Sequence, residues 1–555
     1  MDGRRTVIPT TMQDFPLTLT SILQHAVAVH PDSECVTWTG DPATTRRATY
    51  AEVAANAARL AHALARLGLE AGDRVATLCW NHQEHLEAYF AVPCMGGVLH
   101  TLNLRLPADQ LWFIANQAED RFVIVDADLL PLLGAFAGRV GALEGVIVVG
   151  HTDLDNIEGI PVYDYATIIA AEEPEYDWPE LDERSASAMC YTSGTTGDPK
   201  GVVYSHRSSY LQAMVGLATA TLGSSEPDRL LPIVPMFHVN AWGIPHGALL
   251  SGASLLMPSR YLQAEHLTAF IAQERATGLA GVPTVLNWIL GYGEHTPIDL
   301  SSLRYILSGG AAASHAMLER FQTRYGVRVV QGWGMTETSP LCGVAIPPDE
   351  LEPGSKEDLD WRMHSARVAP GVQLRIMGQN GEPLPHDGIA AGEIEVRGPW
   401  ITGSYFVGVG VPDPSTDRFR DGWLRTGDIA TVDRRGYLKI TDRLKDVIKS
   451  GGEWISSVEL EDRLCSHPGV AAAAVIGVPD PQWSERPLAC VVRAPGAAEA
   501  SVPELAALLA GSLAKWQVPD QWSFLPELPL TSVGKVDKKV LRARHAAGEL
   551  PMEAR

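Results

Sequence analysis

Apolar and polar positions along the chain change period several times, and each change marks a set of elements. Residues 50–67, YAEVAANAARLAHALARL, carry apolar side chains at three- and four-residue spacing and stop at Gly68, which predicts a helix closed by a glycine cap. Short β-branched runs, RFVIVD at 121–126 and GVIVVG at 145–150, alternate with helix-length segments such as 261–275. That alternation predicts layered α/β domains with largely parallel sheets. After about Ser365 the texture shifts to closely spaced strands, GVQLRIMG, GEIEVRG and GYLKITDR, split by glycine and proline turns. A small antiparallel or barrel-like β subdomain is expected there. A further shift gives strand-like AAAAVIGV at 471–478 and LACVVR at 488–493, helix-like PELAALLAGSLA at 503–514, and a basic helix beginning near Lys535. These predict a separate small α/β domain. The fold class expected is thus α/β, with a large N-terminal domain over 1–442, a small C-terminal domain over 443–555, and a boundary within DRLKD at 442–446.

Length and charge narrow the class. A chain of 555 residues exceeds one hydrophobic core, and three or four units of roughly 150 residues are expected. With 66 acidic and 44 basic side chains the formal charge is −22, which argues against a nucleic-acid partner, because phosphate contacts need clustered Lys and Arg. Apolar residues at 46% and charged residues at 20% fit a folded chain. Seven scattered cysteines without a C-x-x-C pair fit neither a disulfide framework nor a cysteine zinc site, and point to a reducing compartment. The N-terminal MDGRRTVIPTTMQDFPLTL has no signal-peptide pattern, and no apolar run approaches the roughly 18 residues of a membrane helix. A cytoplasmic protein without an integral membrane segment is expected.

The stretch richest in chemistry is YTSGTTGDPKG at 191–201. Gly194, Gly197 and Gly201 let backbone approach a ligand, Thr192, Ser193, Thr195 and Thr196 supply hydroxyls, and Lys200 supplies a positive charge. Such a loop suits a polyphosphate. It is not the loop of P-loop triphosphatases, since Asp198 and Pro199 separate Lys200 from Gly197 and Gly201 stands where Ser or Thr is required. The loop resembles the phosphate signature of the adenylate-forming superfamily, which contains acyl-CoA synthetases, peptide-synthetase adenylation domains and beetle luciferases. GWGMTE at 332–337, the TGD of GWLRTGD at 422–428, DRLKDVIKSGGEWIS at 442–456 and LTSVGK at 530–535 resemble further signatures in the same order. Segments such as PMFHVNAW, KGVVYSH and GPWITG are most similar to medium- and long-chain fatty acyl-CoA synthetases.

The resemblance implies an acid–CoA ligase using ATP, Mg²⁺ and coenzyme A. A carboxylate resists thiol attack, and AMP turns its poor leaving oxygen into a good one. By the same resemblance, Glu337 and Thr192 would ligate Mg²⁺, Thr336 and Lys200 would face the phosphates, and Val239, Gly310, Gln331, Gly332 and Trp333 would line the nucleotide site. Trp333 departs from the tyrosine usual in the family, and a wider stacking surface without the phenol is expected. Asp428 would hold the ribose hydroxyls, with Arg443 near ribose and phosphate. Lys535 would contact the carboxylate and α-phosphate, where a cation offsets charge building on phosphorus; Lys538 and Lys539 beside it read as solvated lysines. Because Lys535 lies more than 300 residues beyond the phosphate loop, the resemblance implies that the C-terminal domain closes as a lid. Lys445 matches the hinge, and a second orientation would withdraw Lys535 and bring Lys449, Gly451, Gly452 and Trp454 toward coenzyme A.

For the acid, Phe237, His238 and Trp242 resemble the lining of an acyl tunnel, with Gly281, Pro283, Ser308 and Gly309 completing its wall; His238 reads equally as a core histidine. A medium- or long-chain fatty acid is the first expectation, with a short sulfur-containing acid such as methylmercaptopropionate as the alternative and carrier-protein loading as a second. A homodimer is implied by the resemblance alone. His82 and His85 in NHQEHLE have helical spacing but not that of H-E-x-x-H, and surface histidines on an amphipathic helix explain them better than a metal site.

Overall fold

The computed structural model describes residues 10–153, 156–192, 199–378, 380–408, 411, 416–451, 453–494, 500–511, 513–531 and 535–554. The predicted helix forms as Tyr50–Arg66. Thr49 and Glu52 build a capping box at its start, and Gly68 follows its end at φ +91°. The two β-branched runs become the parallel neighbours Asp120–Asp126 and Gly145–Val149, and the 261–275 segment gives the helix Ala264–Glu274.

Three sheets organise the chain. An eight-stranded sheet has a parallel centre, from Val98–Thr101 through Arg74–Leu78, Asp120–Asp126 and Gly145–Val149 to Ile160–Asp164. At one edge lies the antiparallel pair Ala186–Tyr191 and Gly201–Ser205, whose connection is the phosphate-loop stretch. A second sheet has the parallel centre Ser254–Met257, Arg229–Pro232, Gly278–Gly281, Tyr305–Gly309 and Arg328–Trp333. The strands expected after Ser365 are antiparallel. Ala366–Val368, Gln373–Met377, Ala391–Arg397, Trp423–Val432 and Tyr437–Arg443 extend that second sheet while packing a core of their own around Ile376, Ile394, Val396 and Leu438.

One core joins the two large sheets. Leu19, Leu60, Phe90 and Leu249 come from helices between them, while Val75 and Ile124 come from one sheet and Leu230 and Val330 from the other. The outer faces are covered separately, the second sheet by helices carrying Phe270, Leu286 and Phe321. This layering places the ends of Ala186–Tyr191, Tyr305–Gly309 and Arg328–Trp333 around one cavity.

The third sheet lies entirely within Ile448–Ala554, with Val470–Asp480 and Ser484–Arg493 as its long hairpin. Helices Ser457–Cys465, Val502–Ala510 and Lys538–Ala546 cover it. The seven cysteines are all free thiols, six of them buried. No helix among the described residues is long and apolar enough to cross a membrane.

Candidate active site

A cavity of about 2350 Å³ lies between the large domain and the C-terminal domain, and most of the predicted site residues line it. The described neck of the phosphate loop is closed by two hydrogen bonds. Thr192 N–H donates to Lys200 O at 2.9 Å, and Lys200 N–H donates to Thr192 Oγ1 at 3.2 Å. Both residues face the cavity. Ser193, Gly194, Thr195, Thr196 and Gly197 lie outside the described residues, as does Gly452.

The GWGMTE segment turns sharply after the strand Arg328–Trp333. A Cβ on Gly334 would lie 1.3 Å from the carbonyl oxygen of Pro340, so only glycine fits there. The turn delivers Thr336 and Glu337 on a short 3₁₀ turn, both buried at the cavity wall. Tyr204 donates to Thr336 O at 2.8 Å. Tyr405 donates to Glu337 Oε1 at 2.5 Å, and Arg418 Nη2 lies 3.7 Å from the same oxygen. The other Glu337 oxygen has no hydrogen-bond partner among the described residues. A partly held carboxylate beside hydroxyl donors suits Mg²⁺, which takes few protein ligands and completes its shell with phosphate and water.

Around the expected nucleotide position, Gly310 adopts φ +82°, and a side chain there would fill the space between Val282 and the Cε of Lys535, 3.4 and 3.5 Å from the added Cβ. Gln331 is tied down by Ala313 N–H, at 2.8 Å, and by its own donation to Arg362 O. Trp333 differs from its expected role as a bare stacking surface. Its indole N–H donates to Asp428 Oδ2 at 2.9 Å, while Arg443 Nε stands 3.1 Å from Oδ1. Asp428 and Arg443 face each other in register on neighbouring antiparallel strands, which fixes the pairing. Gly332 and Val239 also line the cavity.

Lys535 reaches into this cavity from the lid. Its own turn is closed by Thr531, whose Oγ1 accepts Lys535 N–H at 3.2 Å. Burial pushes its ammonium down to about 8, with Arg443 and Lys445 adding repulsion and Asp428 opposing them. Lys538, expected as a solvated lysine, is instead half-buried. It pairs with Glu461 at 2.7 Å and donates to Ser457 Oγ at 2.6 Å. The helix periodicity turns it inward against Ser457–Cys465, whereas Lys539 stays exposed. Lys449 is exposed, and it, Gly451 and Trp454 lie on the lid hairpin Ile448–Ile455, outside the cavity lining.

A smaller cavity of about 40 Å³ is walled by Phe237, His238, Trp242, Val282 and Val285, with Gly310 and Lys535 at its edge. His238 lines both cavities, so it is a wall residue and not a satisfied core histidine. Burial, then Lys535 and Arg105, hold its imidazole down to about 3, so it is neutral at physiological pH. Trp242 packs flat over Gly309, whose added Cβ would come 2.9 Å from Cη2. It lies in a run of left-handed backbone, Val239 to Trp242 at φ +47° to +59° followed by Gly243 at φ +74°, anchored by Gln212 Nε2–H donating to Trp242 O at 3.1 Å. Pro283 lines the large cavity, but two expected wall residues do not line either. Gly281 faces Ile233 within the sheet, and Ser308 is fully buried in its strand.

Sequence reasoning missed Tyr405, Arg418, Tyr204 and Arg105. Tyr405 reaches Glu337 only because Gly201 and Phe406 pair across a bridge, a contact that no local pattern announces. His82 and His85 are buried, not surface histidines. His82 caps the helix Gln83–Cys94 and bonds Asp126 at 2.8 Å, and His85 bonds Thr77 and the Trp80 carbonyl. Cys79 joins His82 and Asp126 in one cluster, but the imidazole and carboxylate are already satisfied by protein partners.

Comparison with known proteins agrees with this arrangement. The model of the AMP-binding enzyme family matches residues 23–406, and that of the AMP-binding enzyme C-terminal domain matches 459–535. The chain is 43% identical to 3-methylmercaptopropionyl-CoA ligase of Ruegeria lacuscaerulensis, over 96% of this chain and 98% of that protein. It is 44% identical to the long-chain-fatty-acid–CoA ligase of Thermus thermophilus, over 98% and 99%. Among solved structures, the anthranilate CoA ligase AuaEII with anthranoyl-AMP superposes with a TM-score of 0.86 at 27% identity, covering 97% of this chain and 100% of that one. Acyl-CoA ligases of this family use ATP, Mg²⁺ and coenzyme A. A phosphate-loop neck, a buried carboxylate and a lysine of the C-terminal domain meeting in one cavity, together with these likenesses over nearly the whole length, place the chain in the AMP-binding enzyme family as an AMP-forming acyl-CoA synthetase.

Proposed function

We propose that this acid–CoA ligase takes a short apolar carboxylic acid, of the size of butyrate or 3-methylmercaptopropionate. The observation that carries this reading is the small cavity beside Lys535, closed by Phe237, Trp242, Val282 and Val285. A volume of about 40 Å³ equals only a few water-sized spheres, which suits a few heavy atoms behind a carboxylate and not a dodecyl chain. A second reading, the medium- or long-chain fatty acid expected first, is favoured by the larger cavity, whose lining runs past Trp242 to Gln212, Gly216 and Leu222. It requires the Trp242 indole to leave Gly309. Pyrophosphate release measured across acids of four to twelve carbons separates the two. Rates falling with length support the short acid, and rates rising with length support the fatty acid.

In this reading Lys535 stabilises charge during adenylation, Glu337 and Thr192 hold Mg²⁺, Lys200 neutralises phosphate, and Asp428 receives the ribose. Residues 443–555 act as a lid turning at Lys445 within 442–446, and Lys449, Gly451, Gly452 and Trp454 serve the thiol-transfer orientation. The neutral imidazole of His238 borders the acid without adding charge. A cytoplasmic homodimer goes with the family resemblance, and light scattering of the purified protein tests the dimer.

A further inference from the structure

Two of the proposed phosphate-site groups meet on one side chain that neither motif contains. The Tyr405 ring is buried, and its hydroxyl donates to Glu337 Oε1 at 2.5 Å. The ammonium of Lys200 lies over the same ring, 4.9 Å from its centroid. Phe419 packs edge-on against that ring at 5.3 Å, and the Gly201–Phe406 bridge fixes the backbone, with Phe406 N–H donating to Gly201 O at 2.8 Å. Thr402 N–H donates to Glu337 O at 2.9 Å, so the same segment grips the carboxylate residue at backbone and side chain. The ring therefore sits on a rigid support between Lys200, just ahead of the strand Gly201–Ser205, and the turn that carries Glu337.

We propose that Tyr405 is a positioning residue that holds the Glu337 carboxylate by one oxygen, leaving the other for Mg²⁺, and seats the Lys200 ammonium on its ring. This rests on the reading of Glu337 as a Mg²⁺ ligand. A carboxylate with one oxygen engaged has its rotation fixed before the metal arrives, and such supporting bonds typically change metal affinity by roughly 10- to 100-fold when removed. A cation held over a ring keeps its charge while its tail is immobilised, which prepares it for phosphate.

The test measures equilibrium binding of the non-hydrolysable analogue α,β-methylene-ATP by calorimetry, with and without saturating Mg²⁺, on full-length protein. In the wild type Mg²⁺ tightens binding. Tyr405→Phe keeps the ring against Phe419 and under Lys200, and is expected to lose about tenfold or more of that Mg²⁺-dependent gain while metal-free affinity stays within about twofold. Tyr405→Leu is expected also to weaken metal-free binding, because the ammonium loses its seat. Preserved metal-free binding by Tyr405→Phe itself reports an intact fold, so that variant decides alone if Tyr405→Leu does not fold. Full retention of the gain in Tyr405→Phe, with loss in Glu337→Gln, overturns the positioning role and leaves the ligand reading standing. Full retention in both overturns the ligand reading as well. Loss in Tyr405→Phe alone overturns the claim that Tyr405 acts through Glu337.

Discussion

The sharpest consequence of the site electrostatics is a split in pH dependence between the two half-reactions. Lys535 in the closed lid has its ammonium pushed from 10.5 down to about 8 by burial, Arg443 and Lys445. The charged form is the one that offsets phosphate charge, so adenylation needs Lys535 protonated. Raising the pH from 7 to 9 should lower its charged fraction from about nine-tenths to about one-tenth, and kcat/KM for pyrophosphate release should drop about tenfold with it. ATP brings opposite charge beside the ammonium and should draw its pKa back up, so kcat should turn over at a higher pH than kcat/KM. In the proposed division of labour, thioester formation from supplied acyl-adenylate makes no use of Lys535 and should stay level or rise as the thiol ionises. Lys535→Arg keeps its charge to much higher pH and should lose the inflection even where its rate is lower. The sign for stability follows from the same shift. Between pH 8 and 10.5 the folded protein binds fewer protons at this site than the unfolded chain, so its contribution to stability rises with pH there. A kcat/KM profile for adenylation that is flat from pH 7 to 10, or that falls identically in both half-reactions, refutes the assignment.

Other positions give independent checks. Trp333→Phe removes the indole donor to Asp428 while keeping an aromatic face, and KM for ATP should rise roughly 10-fold, the scale of a hydrogen bond to a charged group, with kcat little changed. Lys538→Ala takes the cation from the half-buried Glu461, which keeps the Val475 N–H bond at 2.7 Å. It should destabilise the C-terminal domain by about 1–3 kcal/mol, seen by differential scanning calorimetry as a lowered or separated transition. Glu87 is buried among Tyr165, Asn56 and Gln83, and burial raises its carboxyl to about 7. The folded protein thus binds the extra proton between pH 4.5 and 7, and stability should fall as pH rises through that window. Glu87→Gln should remove that slope in thermal melts and gain about 1–3 kcal/mol at pH 8. Trp242→Ala should open the small cavity and shift the preferred acid toward longer chains, which the same carboxylic-acid panel reads directly.

Periodicity sufficed for elements whose order is local. The Tyr50–Arg66 helix, the Asp120–Asp126 strand and the Val470–Asp480 strand each fall within a residue or two of their patterns, because one buried face sets the spacing. The family resemblance of the motifs placed Lys200, Thr336, Glu337, Asp428 and Lys535 in one site, and all five line the large cavity. The side chains that hold those groups were not legible. Tyr405 is 68 residues from Glu337 and Trp333 is 95 from Asp428, and both contacts depend on strand pairing across a sheet. Wall residues failed for a related reason. In a strand, alternate residues face opposite sides, and the register of Tyr305–Gly309 turns Ser308 into the sheet while Gly309 receives the Trp242 indole. Burial of Lys538 and of His82 followed from tertiary pairing that exposed-helix reasoning cannot foresee.

The net charge of −22 then has a local counterpart that explains how anionic substrates enter at all. Arg105, Lys200, Arg418, Arg443, Lys445 and Lys535 all line the large cavity, so cations stand where phosphates are proposed to sit, interleaved with carboxylates such as Glu337, Asp428 and Asp442. Burying Lys535 among them has a cost, visible in its lowered pKa, for which burial comes first and repulsion from Arg443 second. The contacts that hold the lid down cross the proposed hinge. Asp442 accepts Ser457 N–H at 2.6 Å, and Ser456 donates to Thr441 O, both joining the last strand of the large domain to the first helix of the lid. Arg542 pairs with Asp446 at 2.7 Å and donates to Lys445 O, so the hinge residue is gripped from within the lid itself. A turn at Lys445 must break the first pair of contacts while the second pair travels with the lid. In the proposed cycle, lifting Lys535 out of its buried, cationic surroundings would return it toward its ordinary pKa, so desolvation and repulsion would favour opening once pyrophosphate has left, and bound ATP would favour closure by neutralising the ammonium.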